Sequence, residues 1–324
     1  MGDGLRVLVV AGGPDRERGV SLVSGAAVAG ALREAGHVVR EADVGPGDLS
    51  ALAGFGAWGG DVIFPVLHGK WGEGGGLQRV LDERGLPYVG CRSAAAALCM
   101  DKGRTKAALS AAGLPTPASR VVEGGAGLAE ELATEVASPG GPEGVGLPVV
   151  VKAVDEGSSF GLAICHSEAE AAAAVARLGR EFGRLLVEQY VAGLEVTVGV
   201  VDGVDGRPEA LPAIQIVPAG AYYDYAAKYE RDDTQYRFDI PLPADVLAEI
   251  QRLAVRAYTV LGVRHLGRVD FLVDGAGRPW ILEVNTMPGF TSHSLLPMAA
   301  ARAGLGLVGL VDRVVRLSVR DQPR

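Results

Sequence analysis

The sequence predicts a mixed α/β and α+β fold, with a parallel α/β domain first and an antiparallel region last, on three observations. Leu5 to Ala11, apolar apart from Arg6, reads as a buried strand followed by Gly12-Gly13-Pro14 and a helical stretch, the strand, turn and helix of a parallel sheet. Leu147 to Ala153, Leu162 to Cys165 and Arg184 to Gln189 read as strands around an alanine-rich helix, an α+β unit. Arg268 to Val273 and Trp280 to Asn285 alternate in character on either side of Asp274-Gly-Ala-Gly-Arg-Pro279, which reads as a hairpin loop.

The first helix is expected from Val20 to Ala35, closed by Gly36. Its start suits an anion, and Glu17, in the turn before it, serves either an ammonium group or the positive end of the helix dipole. Strands Val38 to Asp43 and Asp61 to Leu67 continue the parallel pattern. His68 lies at the carboxyl end of the latter, where ligands of open α/β sheets bind; it is either a ligand contact or a loop-capping histidine. Leu86 to Gly90 reads as a last short strand, with a domain boundary near Cys91, and helices follow from Ser93 to Met100 and from Lys106 to Ala112. Gly124 to Gly146 holds a short acidic helix and a Ser-Pro-Gly-Gly-Pro loop without assigned chemistry.

Lys152 sits inside an apolar strand, where an ammonium group needs an anionic partner. Either a nucleotide phosphate supplies it, with the Asp155 to Gly161 loop closing over the phosphates, or Lys152 is an edge lysine beside a solvent loop. The strand carrying Glu188 reads as a hinge whose side chain and main chain suit adenine and ribose. Glu195 to Val201 and Leu211 to Val217 begin the antiparallel region. The polar, tyrosine-rich stretch from Tyr222 to Gln235 is either a loop over a site, with Lys228 and Tyr229 facing substrate, or a surface excursion. Amphipathic helices are expected over Asp245 to Leu261 and Leu305 to Val319.

In the hairpin, symmetric closure puts Asp270 opposite Glu283 and Arg268 opposite Asn285. Val269, Phe271, Val273, Trp280, Leu282 and Val284 then share an inward face. Two carboxylates about 5 Å apart at Cβ repel unless a cation lies between them. All-oxygen donors suit a hard ion, magnesium before calcium or zinc; the alternative is a solvated hairpin face.

A length of 324 residues allows two or three domains, and 48% hydrophobic with 22% charged residues is ordinary for a globular enzyme. A net charge of −8 offers no basic surface for nucleic acid. The three cysteines, Cys91, Cys99 and Cys165, suggest neither a disulfide framework nor a zinc site and fit a reduced cytosol. No apolar run reaches membrane-spanning length, and the N-terminus reads as a buried strand rather than a signal peptide.

An ordered set of segments, GGPDRERGVSLVSG (12 to 25), VLHGKWGEGG (66 to 75), MDKGRTK (100 to 106), VVKAVDEGSSFG (150 to 161), YYDYAAKY (222 to 229), GRVDF (267 to 271) and EVNTMPGFTSHSLLPM (283 to 298), resembles the D-alanine–D-alanine ligases of the ATP-grasp superfamily. The resemblance implies a three-domain ATP-grasp architecture. Residues 1–92 would be an N-terminal α/β substrate domain, 93–189 a central subdomain, and 190–324 a C-terminal subdomain with the metal and substrate site. It implies ATP-dependent joining of two D-alanines through an acylphosphate, for peptidoglycan precursors, in a cytoplasmic enzyme that forms a homodimer. Asp270, Glu283 and Asn285 would hold two magnesium ions, with manganese a substitute. Lys102, Lys152, Ser159 and Lys228 would contact the phosphates, and Glu188, Gln189, Val191 and Glu195 the adenosine. Glu17 would hold the first ammonium and join Ser158 and Tyr229 in a hydrogen-bonded group. Arg268 and the Gly289 N–H would stabilise an oxyanion, Ser294 and the Leu295 N–H would bind the second carboxylate, and His68 would lie near both substrates. Tyr229, which differs in relatives that form the D-alanyl-D-lactate ester, favours the dipeptide.

Three positions depart from the family pattern: Gly19, where a second acidic residue is usual, Glu73-Gly74-Gly75, where Glu-Asp-Gly is usual, and Ala153, where proline is usual. Two other readings are a ligase of different acceptor specificity and a non-catalytic ATP-binding relative.

Overall fold

The computed structural model describes residues 4–123, 145–157, 161–219 and 233–321. Most of the acidic segment at 124–146 and most of the tyrosine-rich loop lie outside these residues, as do Ser158, Ser159, Lys228 and Tyr229.

Strand β1 (Arg6–Gly12) is buried along all but its first residue, as its unbroken apolar run requires in a sheet covered on both faces. It pairs in parallel with β2 (Val38–Val44) and β3 (Val62–Pro65), in the order β2-β1-β3. Helix α1 (Arg18–Glu34) makes the first crossover; α2 (Ser50–Ala53) and α3 (Phe55–Trp58) precede β3, and α4 (Gly69–Gly72) and α5 (Gly76–Glu83) follow it. The expected strand at Leu86 to Gly90 is reduced to one bridge between Tyr88 and Ile63. Pro87 has no amide hydrogen to extend a ladder, and Gly90 turns the chain at φ +98°.

After α6 (Ser93–Met100) and α7 (Lys102–Ala111), a four-stranded antiparallel sheet forms from β4 (Ser119–Glu123), β5 (Val149–Ala153), β6 (Leu162–Cys165) and β7 (Arg184–Gln189), in the order β4-β7-β5-β6. Helix α8 (Glu168–Phe182) begins at Ser167, whose hydroxyl accepts from the Glu170 N–H. It buries Ala171, Ala174, Val175 and Leu178 against Val149, Val151, Leu185 and Val187.

The third sheet is antiparallel and has six strands: β8 (Gly193–Asp202), β9 (Pro208–Ala210), β10 (Ile214–Val217), β11 (Gln235–Arg237), β12 (Leu266–Asp274) and β13 (Pro279–Asn285). Their order is β11-β10-β8-β12-β13, with β9 on β8. Helices α9 (Ala244–Val260), α10 (Leu295–Arg302) and α11 (Gly306–Arg320) complete the chain; no single helix among the described residues is long and apolar enough to cross a membrane.

Apolar packing runs across residues 92 and 189. Ala96, Cys99 and Leu109 of α6 and α7 sit in the cluster of Ile250, Leu253 and Phe271 under the large sheet, because their small apolar faces find their partners on α9 and β13. Leu310, Val311 and Val314 of α11 likewise join Val7, Val9, Val28 and Leu32 of the first domain.

The β12–β13 hairpin pairs Arg268 with Asn285 and Asp270 with Glu283, the register expected from symmetric closure. Just beyond, the register shifts and Phe271 pairs with Ile281, so Leu282 is an extra residue on β13. The bulge corrects the expected apolar face. Ile281 is fully buried with Phe271 and Val273, whereas Trp280 and Leu282 are only half-buried, on the other side.

Candidate active site

Two cavities meet above the large sheet. The larger, of about 430 Å³, lies between the four-stranded and six-stranded sheets and is lined by Lys152, Glu188, Gln189, Val191, Glu195, Gln215, Asp270 and Leu282, among others. The smaller, of about 90 Å³, lies between the first domain and the loop after β13; Glu17, His68, Glu73, Arg268, Asn285, Gly289, Ser294 and Leu295 face it. Lys102, Glu156 and Glu283 line both. Every expected site residue within the described part of the chain therefore borders one cavity or the other.

In the large cavity the partner expected for Lys152 is on the protein. Its Nζ donates to Glu188 Oε1 at 2.8 Å, and Lys106 Nζ reaches Glu188 Oε2 at 2.5 Å. Burial works against the charge of Glu188, but Lys152 and Lys106 outweigh it and hold the carboxyl below its ordinary pKa. Burial pulls Lys106 down to about 8, against the attraction of Glu188 and with the repulsion of Lys152, and leaves it a cation at neutral pH. Glu188 thus spends its carboxylate on two lysines, and its main chain lies between β4 and β5 in the small sheet.

The polar square of the hairpin is formed as its alternation predicts, and cations do sit beside both carboxylates. Arg268 donates twice to Asp270, Nε to Oδ1 at 2.9 Å and Nη2 to Oδ2 at 2.8 Å. Thr197 Oγ1 also donates to Asp270 at 2.5 Å. Lys102 Nζ lies 3.6 Å from Glu283 and donates to the Glu156 carbonyl. Asn285 Oδ1 accepts from the Met287 N–H, which folds the chain out of β13 toward the smaller cavity. No cluster of three His, Cys, Asp or Glu side chains able to hold a metal occurs among the described residues. The oxygen set offered to a cation is two carboxylates and one carboxamide, few enough for a hard ion that takes its other ligands from phosphate or water.

The smaller cavity holds buried groups whose protonation is strongly perturbed. Glu17 precedes α1, its carboxylate beside the Gly157 backbone, where an added Cβ would come within 3.2 Å of it. His68 caps α4 in backbone terms; its ring hydrogen-bonds the Met287 backbone, and Nε2 is buried without a partner among the described residues. Burial lowers its pKa, only partly opposed by Glu17. Burial raises the Glu73 carboxyl well above its usual range, and Glu17 adds to the effect. Oε1 of Glu73 accepts from the Gly69 N–H at 3.2 Å, while Oε2 has no partner among the described residues. Ser294 Oγ accepts from the Thr291 N–H at 2.9 Å, and a Cβ on Gly289 would stand 2.8 Å from that oxygen. Glycine there lets the 289 backbone face the cavity.

Residues that carry the site without having been singled out are Glu73, Lys106, Glu156 and Lys70, which contacts Asp155 and Glu156 at 3.1 and 3.0 Å. Glu73 and Lys106 stand inside quoted motifs; Glu73 had a signal, a charged residue among glycines, whereas Lys106, after Arg104 and Thr105, had none. Of the family departures, Gly74 has a local reason, and nothing in the structure explains Gly19 or Ala153. A Cβ at Gly74 would lie 2.4 Å from the Lys70 carbonyl, whereas one at Gly19 would meet open space.

The family model described as the D-ala D-ala ligase C-terminus matches residues 109–316. A D-alanine–D-alanine ligase of Bordetella petrii is 42% identical over 96% of this chain and 91% of its own, and one of Moorella thermoacetica is 40% identical over 97% and 99%. Among solved structures, the D-alanine–D-alanine ligase of Bacillus anthracis complexed with ATP superposes with a TM-score of 0.79 at 28% identity, covering 99% of both chains.

Proposed function

The chain belongs to the D-alanine–D-alanine ligase family, and we propose that it joins two D-alanine molecules at the expense of ATP to supply peptidoglycan precursors. The observation that carries the reading is the junction of the two cavities at Lys102, Glu156 and Glu283. A nucleotide in the larger cavity would end at the place where a small amino acid in the other presents its carboxylate.

A carboxylate does not react with an amine until one oxygen becomes a good leaving group. The first D-alanine carboxylate attacks the γ-phosphorus, and ADP departs from the acylphosphate. The amine of the second D-alanine then attacks the acyl carbon; the C–N bond forms, the C–O bond to phosphate breaks, and inorganic phosphate leaves.

Lys102 and Lys152, with Ser159 and Lys228, hold the phosphates, and the 188–191 backbone with Glu195 holds the adenosine. Asp270, Glu283 and Asn285 would hold magnesium, or manganese in its place, which screens the charge of the transferring phosphoryl group. Glu17 takes the first ammonium and, with Ser158 and Tyr229, ties the first domain to the closing loops. Arg268 and the Gly289 N–H stabilise the tetrahedral oxyanion, and Ser294 with the Leu295 N–H holds the second carboxylate. His68 is suited to receive the amine proton. Its bond to the Met287 carbonyl takes the ring hydrogen, so Nε2 keeps a lone pair, and burial keeps the ring neutral. A cytoplasmic homodimer completes the reading.

The test is phosphate release from Mg-ATP with D-alanine, with L-alanine, and with D-alanine plus D-lactate. Release that requires D-alanine and yields the dipeptide is expected. Release that requires lactate would move the acceptor specificity, and nucleotide binding without turnover would contradict catalysis.

A further inference from the structure

Lys106 is the most deeply buried lysine near the site among the described residues, with 2% of its surface exposed, and it does not line the nucleotide cavity. It comes from α7, which packs under the large sheet, yet its Nζ reaches across to Glu188 on β7 of the small sheet at 2.5 Å. The same Nζ donates to Thr116 Oγ1 at 2.6 Å, and that hydroxyl donates to the Ile281 carbonyl on β13 at 2.8 Å. One ammonium group therefore joins the two sheets that enclose the cleft and the strand that carries Glu283.

Its position also sets a charge count. Glu188 is buried between two lysines, of which only Lys152 faces the cleft. The three groups sum to one positive charge. Without Lys106 the sum is zero, and Lys152 leaves Glu188 only by stranding a buried carboxylate, which costs far more than an exposed one. With Lys106 in place, Glu188 keeps a partner whichever way Lys152 turns.

We propose that Lys106 is a positioning residue that holds Glu188 from behind and so makes the charge of Lys152 available to the phosphates of a nucleotide in the cleft. The lowered but still cationic state of Lys106 at neutral pH agrees with this task. The inference rests on the proposed nucleotide role of the cleft, and it assigns to Lys106 an effect on nucleotide affinity without any contact with the nucleotide.

The experiment is titration calorimetry with ADP in the absence of metal, on the full chain and on Lys106→Met, Lys152→Met, Glu188→Gln and the Lys106→Met/Glu188→Gln double variant. Lys106→Met should bind ADP roughly tenfold more weakly or worse, as loss of a charge-assisted phosphate contact requires. In steady state its KM for ATP should rise while its KM for D-alanine stays put. The double variant restores the sum of one positive charge and should return to near the parent affinity. A merely structural lysine predicts no such rescue, since the double variant removes still more of the buried contacts. If Lys106→Met does not fold, the double variant decides: affinity near the parent supports the inference, and affinity as poor as that of Lys152→Met overturns it. A folded Lys106→Met chain that binds ADP as the parent does also overturns it. Failure of the parent itself to bind ADP would instead contradict the proposed function.

Discussion

In the nucleotide cleft, Glu188 is matched by Lys152 and Lys106 at 2.8 and 2.5 Å, and Asp270 by two bonds from Arg268. In the adjoining pocket, Glu73 Oε2 and His68 Nε2 are buried without partners among the described residues, and burial shifts both groups toward their neutral forms. An unmet buried polar group costs about 1–3 kcal/mol; the cleft also holds one, Gln215 Oε1, among the described residues, so the contrast lies in the charges, paired in the cleft and shifted toward neutrality in the pocket. The larger cleft is prepared in advance, with positive charge already oriented for an anion. The difference shows where binding energy is stored and where it waits for substrate.

The largest effect should come from Arg268, which faces the small pocket while its guanidinium is held by Asp270 of the cleft. Arg268→Ala should lower D-alanine-dependent phosphate release by about 100-fold or more, the scale for one oxyanion donor. A loss below tenfold would show that the two regions are not coupled through this side chain.

The bulge in β13 separates the core from the cleft wall, and two neighbouring alanine substitutions should split accordingly. Ile281→Ala should cost about 2–4 kcal/mol in denaturant unfolding, as for a fully buried branched side chain. Leu282→Ala should cost less than half of that and weaken ADP binding instead. The reverse order would mean that the strand keeps simple alternation.

Glu73 sharpens the comparison through pH. Its pKa is raised in the folded chain, so above the unfolded value the folded state holds a proton that the unfolded state has lost. Its contribution to stability therefore falls as pH rises from about 4.5 toward the folded pKa. Glu73→Gln should raise the Tm by about 2–4 °C at pH 8, with little gain at pH 4, measured by calorimetry. The smallest effect belongs to Lys70, whose bonds to Asp155 and Glu156 are partly exposed. Lys70→Ala should move stability by less than about 1 kcal/mol in the same denaturant titration.

Much of this was legible in the sequence because the signals were local. The buried first strand, the parallel crossover, the amphipathic helix now seen at Ala244–Val260 and the Asp270–Glu283 pairing each follow from periodicity within one or two segments. The ordered motifs then named the family that the relatives share. Three features were not legible, each for a physical reason. The bulge at Leu282 obeys packing, not alternation: a fully apolar Trp-Ile-Leu run carries no mark of which residue is extra. The burial of α6 and α7 under the large sheet depends on which apolar surface is nearest in space. The Lys106–Glu188–Lys152 group joins residues 36 and more positions apart, and Lys106 looks in the sequence like any surface lysine of a helix.

The central claim is that the two cavities exchange a phosphoryl group at their junction, with a D-alanine carboxylate as acceptor. The most direct measurement is mass spectrometry of the phosphate released when D-alanine labelled with heavy oxygen in its carboxylate turns over with Mg-ATP. The account predicts that the phosphate carries one labelled oxygen, because the carboxylate oxygen that attacked phosphorus leaves with it. Unlabelled phosphate alongside formation of the dipeptide would contradict it.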